Sequence, residues 1–201
     1  MTDTVGVLAL QGDFAPHGAA LARLGVSARE VRAPRDLHGL SHLVLPGGES
    51  TTLWHLLELF DLREAIVTRH RAGELALFGT CAGAILLGRN DGERPPRLGL
   101  LDCTVTRNAY GTQLDSFTRA LRVDALGREL DCVFIRAPKI RTIGPGVEVL
   151  ARDGDDPILV RAPALLAATF HPELTSDSGV HALFLGMDPA ARGWTPAARV
   201  G

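Results

Sequence analysis

The stretch Phe78-Gly79-Thr80-Cys81-Ala82-Gly83 decides the reading of this chain, because an apolar run at 75–78 enters it and a run of small, helix-compatible residues at 82–88 leaves it. Cys81 sits on the corner between them. In a Gly-x-nucleophile-x-Gly arrangement the reactive side chain rides on a sharp strand-to-helix turn, and a Cβ two positions to either side would crowd that turn. Gly79 and Gly83 occupy those two positions. A thiol placed there meets the free N–H groups and dipole of a helix start, which favour the thiolate, its reactive form. A buried core cysteine beside two helix-packing glycines would look the same in isolation. Further segments are needed to separate the two.

Upstream of the corner, Val5-Gly6-Val7-Leu8-Ala9-Leu10 is almost wholly apolar, as in a strand covered on both faces, and Gln11-Gly12-Asp13 ends it. Helical spacing follows over 14–24, with Phe14, His17, Leu21 and Leu24 on one side and Gly25 as the stop. A second strand is expected at 26–31 and a third at 42–45, closed by Pro46-Gly47-Gly48. Glu49-Ser50-Thr51-Thr52 supplies capping residues for a helix carrying Leu53, Leu56, Leu57 and Phe60, and a further helix at 62–71 returns the chain to the 75–78 strand. Strands alternating with helices imply right-handed crossovers and a doubly wound, mostly parallel α/β sheet with flanking helices. Ligands of such sheets collect beyond the carboxyl ends of the strands, where Gln11, the 46–50 loop and Cys81 converge.

After Gly88 the texture changes. A polar loop at 90–96 is followed by short apolar segments with turn signals at 103–106, 121–123, 132–135, 147–151, 158–160 and 165–170, a spacing that suggests added antiparallel strands rather than more crossover units. A last helix is expected at 179–186, ahead of a loosely held Pro-, Ala- and Gly-rich tail at 187–201. With 201 residues, 46% of them apolar, and no long linker, the chain reads as a single domain over 1–201. A net charge of -2, with 21 basic and 23 acidic residues interspersed, offers no footprint for nucleic acid or an anionic membrane. No apolar run approaches the roughly 20 residues that span a bilayer, and the N-terminus lacks the pattern of a secretory signal. Three cysteines without CxxC spacing fit neither a disulfide framework nor a zinc site, so a reducing, cytoplasmic setting is expected, with no metal and no cofactor.

Two more segments bear chemistry. In Phe170-His171-Pro172-Glu173 an apolar strand ends at His171, and an extended backbone at Pro172 would put His171 and Glu173 on one side, an imidazole with a carboxylate to hold its tautomer. A surface His-Pro-Glu turn would read the same way alone. With the corner at Cys81, however, the order Cys, His, Glu describes a cysteine-nucleophile triad. In Leu45-Pro46-Gly47-Gly48-Glu49-Ser50 the glycine pair can turn backbone N–H groups toward an oxyanion, with the N–H of Ala82 as companion donor. An ordinary capped Gly-Gly turn is the competing reading, and a phosphate loop is disfavoured because its Lys and Ser/Thr are absent.

Six segments together carry a resemblance: Val7-Leu8-Ala9-Leu10-Gln11-Gly12, Leu45-Pro46-Gly47-Gly48-Glu49-Ser50-Thr51-Thr52, Gly79-Thr80-Cys81-Ala82-Gly83, Arg107-Asn108-Ala109-Tyr110-Gly111, Phe134-Ile135-Arg136-Ala137-Pro138 and His171-Pro172-Glu173-Leu174-Thr175. In this order the chain, from residue 5 to about 185, resembles the glutaminase subunits of pyridoxal 5'-phosphate synthases, which are class I (triad) glutamine amidotransferases. The resemblance implies Cys81 as nucleophile, His171 as general base and acid, and Glu173 as the group orienting it. It also implies a glutamine pocket of Gly48, Glu49, Ser50, Arg107, Ile135 and Arg136. Free glutamine carries a carboxylate and an ammonium, which a guanidinium (Arg107) and a carboxylate (Glu49) would suit. Gln11, after the first strand, is placed at the mouth. The implied partner is a TIM-barrel synthase subunit that consumes the ammonia. The chain departs from the family pattern at Thr112, commonly arginine, and at 13–16. Another cysteine hydrolase of similar topology, or a non-catalytic assembly subunit, remains an alternative; the adjacency of His171 and Glu173 weighs against the first and the complete Cys-His-Glu set against the second.

Overall fold

The computed structural model describes residues 5–89, 97–107 and 116–191. The loop expected at 90–96, Thr112 with its neighbours at 108–115, and the tail from 192 onward lie outside the described residues. In chain order the elements are β1 (Val5–Leu8), α1 (Phe14–Arg23), β2 (Ala28–Val31), β3 (His42–Leu45), α2 (Ser50–Leu59), α3 (Leu62–Ala72), β4 (Ala76–Thr80) and α4 (Ala82–Leu87). They continue with β5 (Cys103–Thr106), β6 (Ser116–Val123), β7 (Arg128–Ile135), β8 (Lys139–Ile143), β9 (Glu148–Asp153), β10 (Asp156–Ala162), β11 (Leu165–Ala168) and α5 (Gly179–Leu185).

Among the described residues nine strands form one sheet in the order β2-β1-β3-β4-β11-β10-β9-β6-β7, and β5 pairs with β8 in a small separate ribbon. The first five strands of that order are mutually parallel and the last four are added antiparallel. This is the doubly wound core with appended strands that the alternation of apolar segments implies.

β1, β3, β4 and β11 are buried throughout, their side chains alternating between two cores, while the edge strand β2 buries only Val31. Leu43, Leu45 and Leu77 face one core with Leu165 and Ala167; Val44, Ala76 and Phe78 face the other with Leu166 and Ala168. Leu53, Leu57, Leu62 and Ile66 of α2 and α3 seal the first face, while Leu21 of α1 and Val180 and Phe184 of α5 seal the second. Helices on both faces leave the carboxyl edge of the parallel strands as the natural place for a site.

Two expectations shift. β2 begins at Ala28 rather than 26, since Val26 is taken up in the turn after α1 through its N–H to Leu21 O at 3.1 Å. The His-Pro-Glu segment is not extended but a 3-10 turn over Pro172–Leu174, because proline's fixed φ suits the first position of a helical turn as well as it suits a strand.

Candidate active site

Cys81 takes φ 47° and ψ -104°, a conformation an L-residue rarely adopts. It is held by its own N–H bonded to Ala168 O at 2.9 Å and by α4 starting at the next residue. The flanking glycines are sterically required. A Cβ on Gly79 would lie 2.5 Å from the carbonyl carbon of Gly83, and one on Gly83 would lie 1.9 Å from Leu45 O. The corner is therefore wedged against β3 by backbone contacts that admit no side chain.

His171 is tied to the antiparallel half by its N–H to Val133 O at 2.8 Å, and its Nδ1 lies 2.7 Å from Glu173 Oε1. Both side chains are buried. Burial alone would lower the His171 pKa, but interaction with Cys81 and Glu173 outweighs it and raises the value to about 10. The imidazolium thus faces the sulfur. The Cys81 thiol lies 4.0 Å from Ile135 O, and its interaction with the His171 ring is the first of the contributions that raise the ring's pKa against burial. The other two thiols are different: burial pushes Cys103 up to about 11 and Cys132 up to about 12, leaving both inert.

A cleft opens over Cys81, lined by Gly48, Glu49, Ser50, Ile85, Arg107, Ile135, Arg136 and Pro138. Every residue expected in the glutamine pocket except Gln11 is among them. Gly47 stands directly behind: a Cβ there would lie 2.5 Å from His171 Cε1 and 3.4 Å from Cys81 Cβ. Gln11 braces the loop, its amide placed against Glu49 O at 3.3 Å and Glu49 N at 3.4 Å. Arg136 itself has φ 44°, another left-handed residue at the rim.

Glu49 and Arg107 do more than flank the cleft. Glu49 caps α2, accepting from Thr51 N at 3.1 Å and Thr52 N at 2.8 Å. Burial opposes its charge, but the bonds from Thr52 and Thr51 hold its pKa at about 2. Arg107 reaches the same carboxylate at 2.9 Å and Thr51 Oγ1 at 3.0 Å. The two groups expected to receive the ends of glutamine are therefore paired with each other here, an arrangement that spacing along the chain could not foresee.

With that geometry in place, the family model for the SNO glutamine amidotransferase family matches residues 7–188. The chain belongs to the SNO glutamine amidotransferase family. It is 56% identical over 187 residues to the pyridoxal 5'-phosphate synthase subunit PdxT of Thermus thermophilus, covering 92% of this chain and 97% of that protein. It is 52% identical over 190 residues to the PdxT subunit of Deinococcus radiodurans, covering 92% and 96%. A solved structure titled as a glutamine amidotransferase superimposes with a TM-score of 0.86 at 52% identity, over 90% of this chain and 96% of that one.

One part of the site is absent from the sequence-based expectations. Behind Glu173 lie His17, His181 and Thr80, all fully buried. From the sequence, His17 reads as a polar member of the apolar side of α1 and as a position that keeps the family pattern after the atypical 13–16 segment, but nothing in its spacing points to Glu173; a histidine where a leucine would pack is the available signal.

Proposed function

We propose that this chain hydrolyses L-glutamine to L-glutamate and ammonia and passes the ammonia to the synthase subunit of a pyridoxal 5'-phosphate synthase. The observation that carries the reading is the meeting, at one rim of the sheet, of a cysteine on a left-handed strand-to-helix corner with a buried His171–Glu173 pair at 2.7 Å. Family membership supplies the substrate class, and the resemblance to synthase subunits supplies the partner.

In this mechanism the Cys81 sulfur attacks the side-chain amide carbon of glutamine, and the carbonyl oxygen becomes an oxyanion. The N–H of Ala82 and the Gly47-Gly48 loop receive it. His171 delivers its Nε2 proton to the amide nitrogen, the C–N bond breaks, and ammonia leaves a γ-glutamyl thioester on Cys81. Water, deprotonated by the now neutral imidazole, attacks the thioester; glutamate departs and His171 is again protonated. Glu173 holds the Nδ1 proton throughout and offsets the imidazolium charge. Arg107 and Glu49 exchange their mutual contact for the carboxylate and ammonium of the substrate, with Ser50, Ile135 and Arg136 closing the pocket. Ammonia released to solvent is lost to synthesis, so the chain works docked on the subunit that consumes it.

The test is glutamate production from glutamine by the wild type and Cys81→Ala, each with and without the synthase subunit. Turnover by the wild type and its loss in the variant are expected; equal rates for the two would overturn the assignment.

A further inference from the structure

Glu173 uses one carboxylate oxygen on His171, and the other points away from it. His17 Nε2 is 3.5 Å from Glu173 Oε2 and 3.2 Å from Thr80 Oγ1, while His17 Nδ1 is 3.0 Å from His181 Nε2. His17 and Thr80 come from α1 and the end of β4, and His181 from α5, so three elements are pinned behind one catalytic carboxylate. Both rings pack edge-on against Phe78. We infer that His17 is a positioning residue for the triad: oriented from behind by His181 and bonded to Thr80, it holds the positive edge of a neutral ring 3.5 Å from Glu173 Oε2 and so fixes the carboxylate that selects the tautomer of His171. The inference rests on the triad reading proposed above.

Proton accounting supports this direction. The 3.0 Å contact between His17 Nδ1 and His181 Nε2 needs one proton, which excludes both states in which the two nitrogens match. If His17 carries its proton on Nδ1, then His181 must carry its own on Nδ1, a buried nitrogen with no partner among the described residues. An orphaned buried N–H is costly, and the lone pair of His17 Nε2 would then face the Glu173 carboxylate. If both rings carry the proton on Nε2, the chain runs one way: His181 donates to His17, and His17 donates to Thr80 with its N–H beside Glu173 Oε2. Only an unused lone pair is then left at His181 Nδ1. The second arrangement avoids both penalties.

The charge state fits as well. Burial, and then the neighbouring His181 and His171, keep the His17 pKa well below its ordinary value; burial, and then Arg23, lower that of His181 to about 4. A neutral donor can orient Glu173 without cancelling the negative charge that supports the His171 imidazolium.

The experiment has two arms. In wild-type protein labelled with nitrogen-15, long-range proton–nitrogen correlation should show His17 as the Nε2–H tautomer; an Nδ1–H tautomer would overturn the inference, and this arm needs no variant to fold. In the complex with the synthase subunit, His17→Leu should lower kcat by between about 10-fold and 100-fold with KM for glutamine within about 2-fold, the pattern of a misplaced catalytic group. His17→Gln, which returns an N–H donor near the position of Nε2, should recover part of that loss. A kcat unchanged in His17→Leu would refute the role. Cys81→Ala and Glu173→Gln are measured alongside. If they are inactive while His17→Leu is not, only this inference falls; if they stay active, the triad reading falls and carries this one with it.

Discussion

Replacing Gly47 by alanine should disable the site while leaving the fold intact. The backbone at Gly47 is not in the left-handed region, so alanine can adopt it without strain. Its methyl group would nevertheless lie 2.5 Å from His171 Cε1 and 3.2 Å from Nδ1. Ordinary carbon–carbon contact begins near 3.5 Å, so the ring must retreat by roughly 1 Å. It cannot do so and keep both its 2.7 Å bond to Glu173 and its aim at Cys81. A displacement of that size at a catalytic group costs about 100-fold in rate, or about 2.7 kcal/mol of barrier. Steady-state glutamate release in the presence of the synthase subunit should therefore fall by that factor, with the melting temperature within about 3 °C of wild type. A variant active to within about 3-fold would show that the position of His171 is not what Gly47 protects. By contrast Gly83→Ala, whose methyl would meet the Leu45 carbonyl oxygen at 1.9 Å, should lose stability first, because backbone rather than a side chain must move.

Three other outcomes follow from the same geometry. Iodoacetamide at pH 8 should label Cys81 alone, and glutamine should protect it, since Cys103 and Cys132 stay protonated until about 11 and 12; peptide mapping reads the sites. Glu49→Ala removes the cap of α2, costing about 1 kcal/mol, and leaves Arg107 without the carboxylate it now holds; thermal melts should show a modest drop and kinetics a raised KM for glutamine. Urea midpoints against pH should bend in both directions. His181, lowered from 6.5 to about 4 in the fold, contributes stability that is intact above pH 6.5 and drains as pH falls toward 4. His171, raised to about 10, contributes stability that is full below pH 6.5 and is lost as pH rises through about 10. His181→Leu should shrink the acid limb without abolishing it, because His17, also lowered by burial, still titrates there, and should leave the alkaline limb unchanged.

Much of this architecture is legible in the chain because the relevant signals are local. The glycine spacing around Cys81 encodes a corner that only glycine can build, and the buried runs at β1, β3 and β4 encode a sheet covered on both faces. The hairpins β6–β7 and β9–β10 follow from turn signals between short apolar segments. What escaped is what depends on distant partners. Whether Glu49 faces substrate or its own helix is decided by Thr51, Thr52 and an arginine 58 positions away. The partnership of His17 with His181 spans 164 positions, and neither residue is distinctive where it stands. The 3-10 turn at Pro172 was missed for a different reason: proline's φ serves both conformations, and the Leu174 N–H to His171 O bond selects the turn.

The central claim is that Cys81 is the group that forms the bond to glutamine. Intact-mass and peptide analysis after treatment with a diazoketone analogue of glutamine tests it directly. One adduct, on Cys81, with full loss of glutaminase activity and no adduct in Cys81→Ala, is the predicted result; an adduct on another residue, or inactivation that leaves Cys81 unmodified, would contradict it.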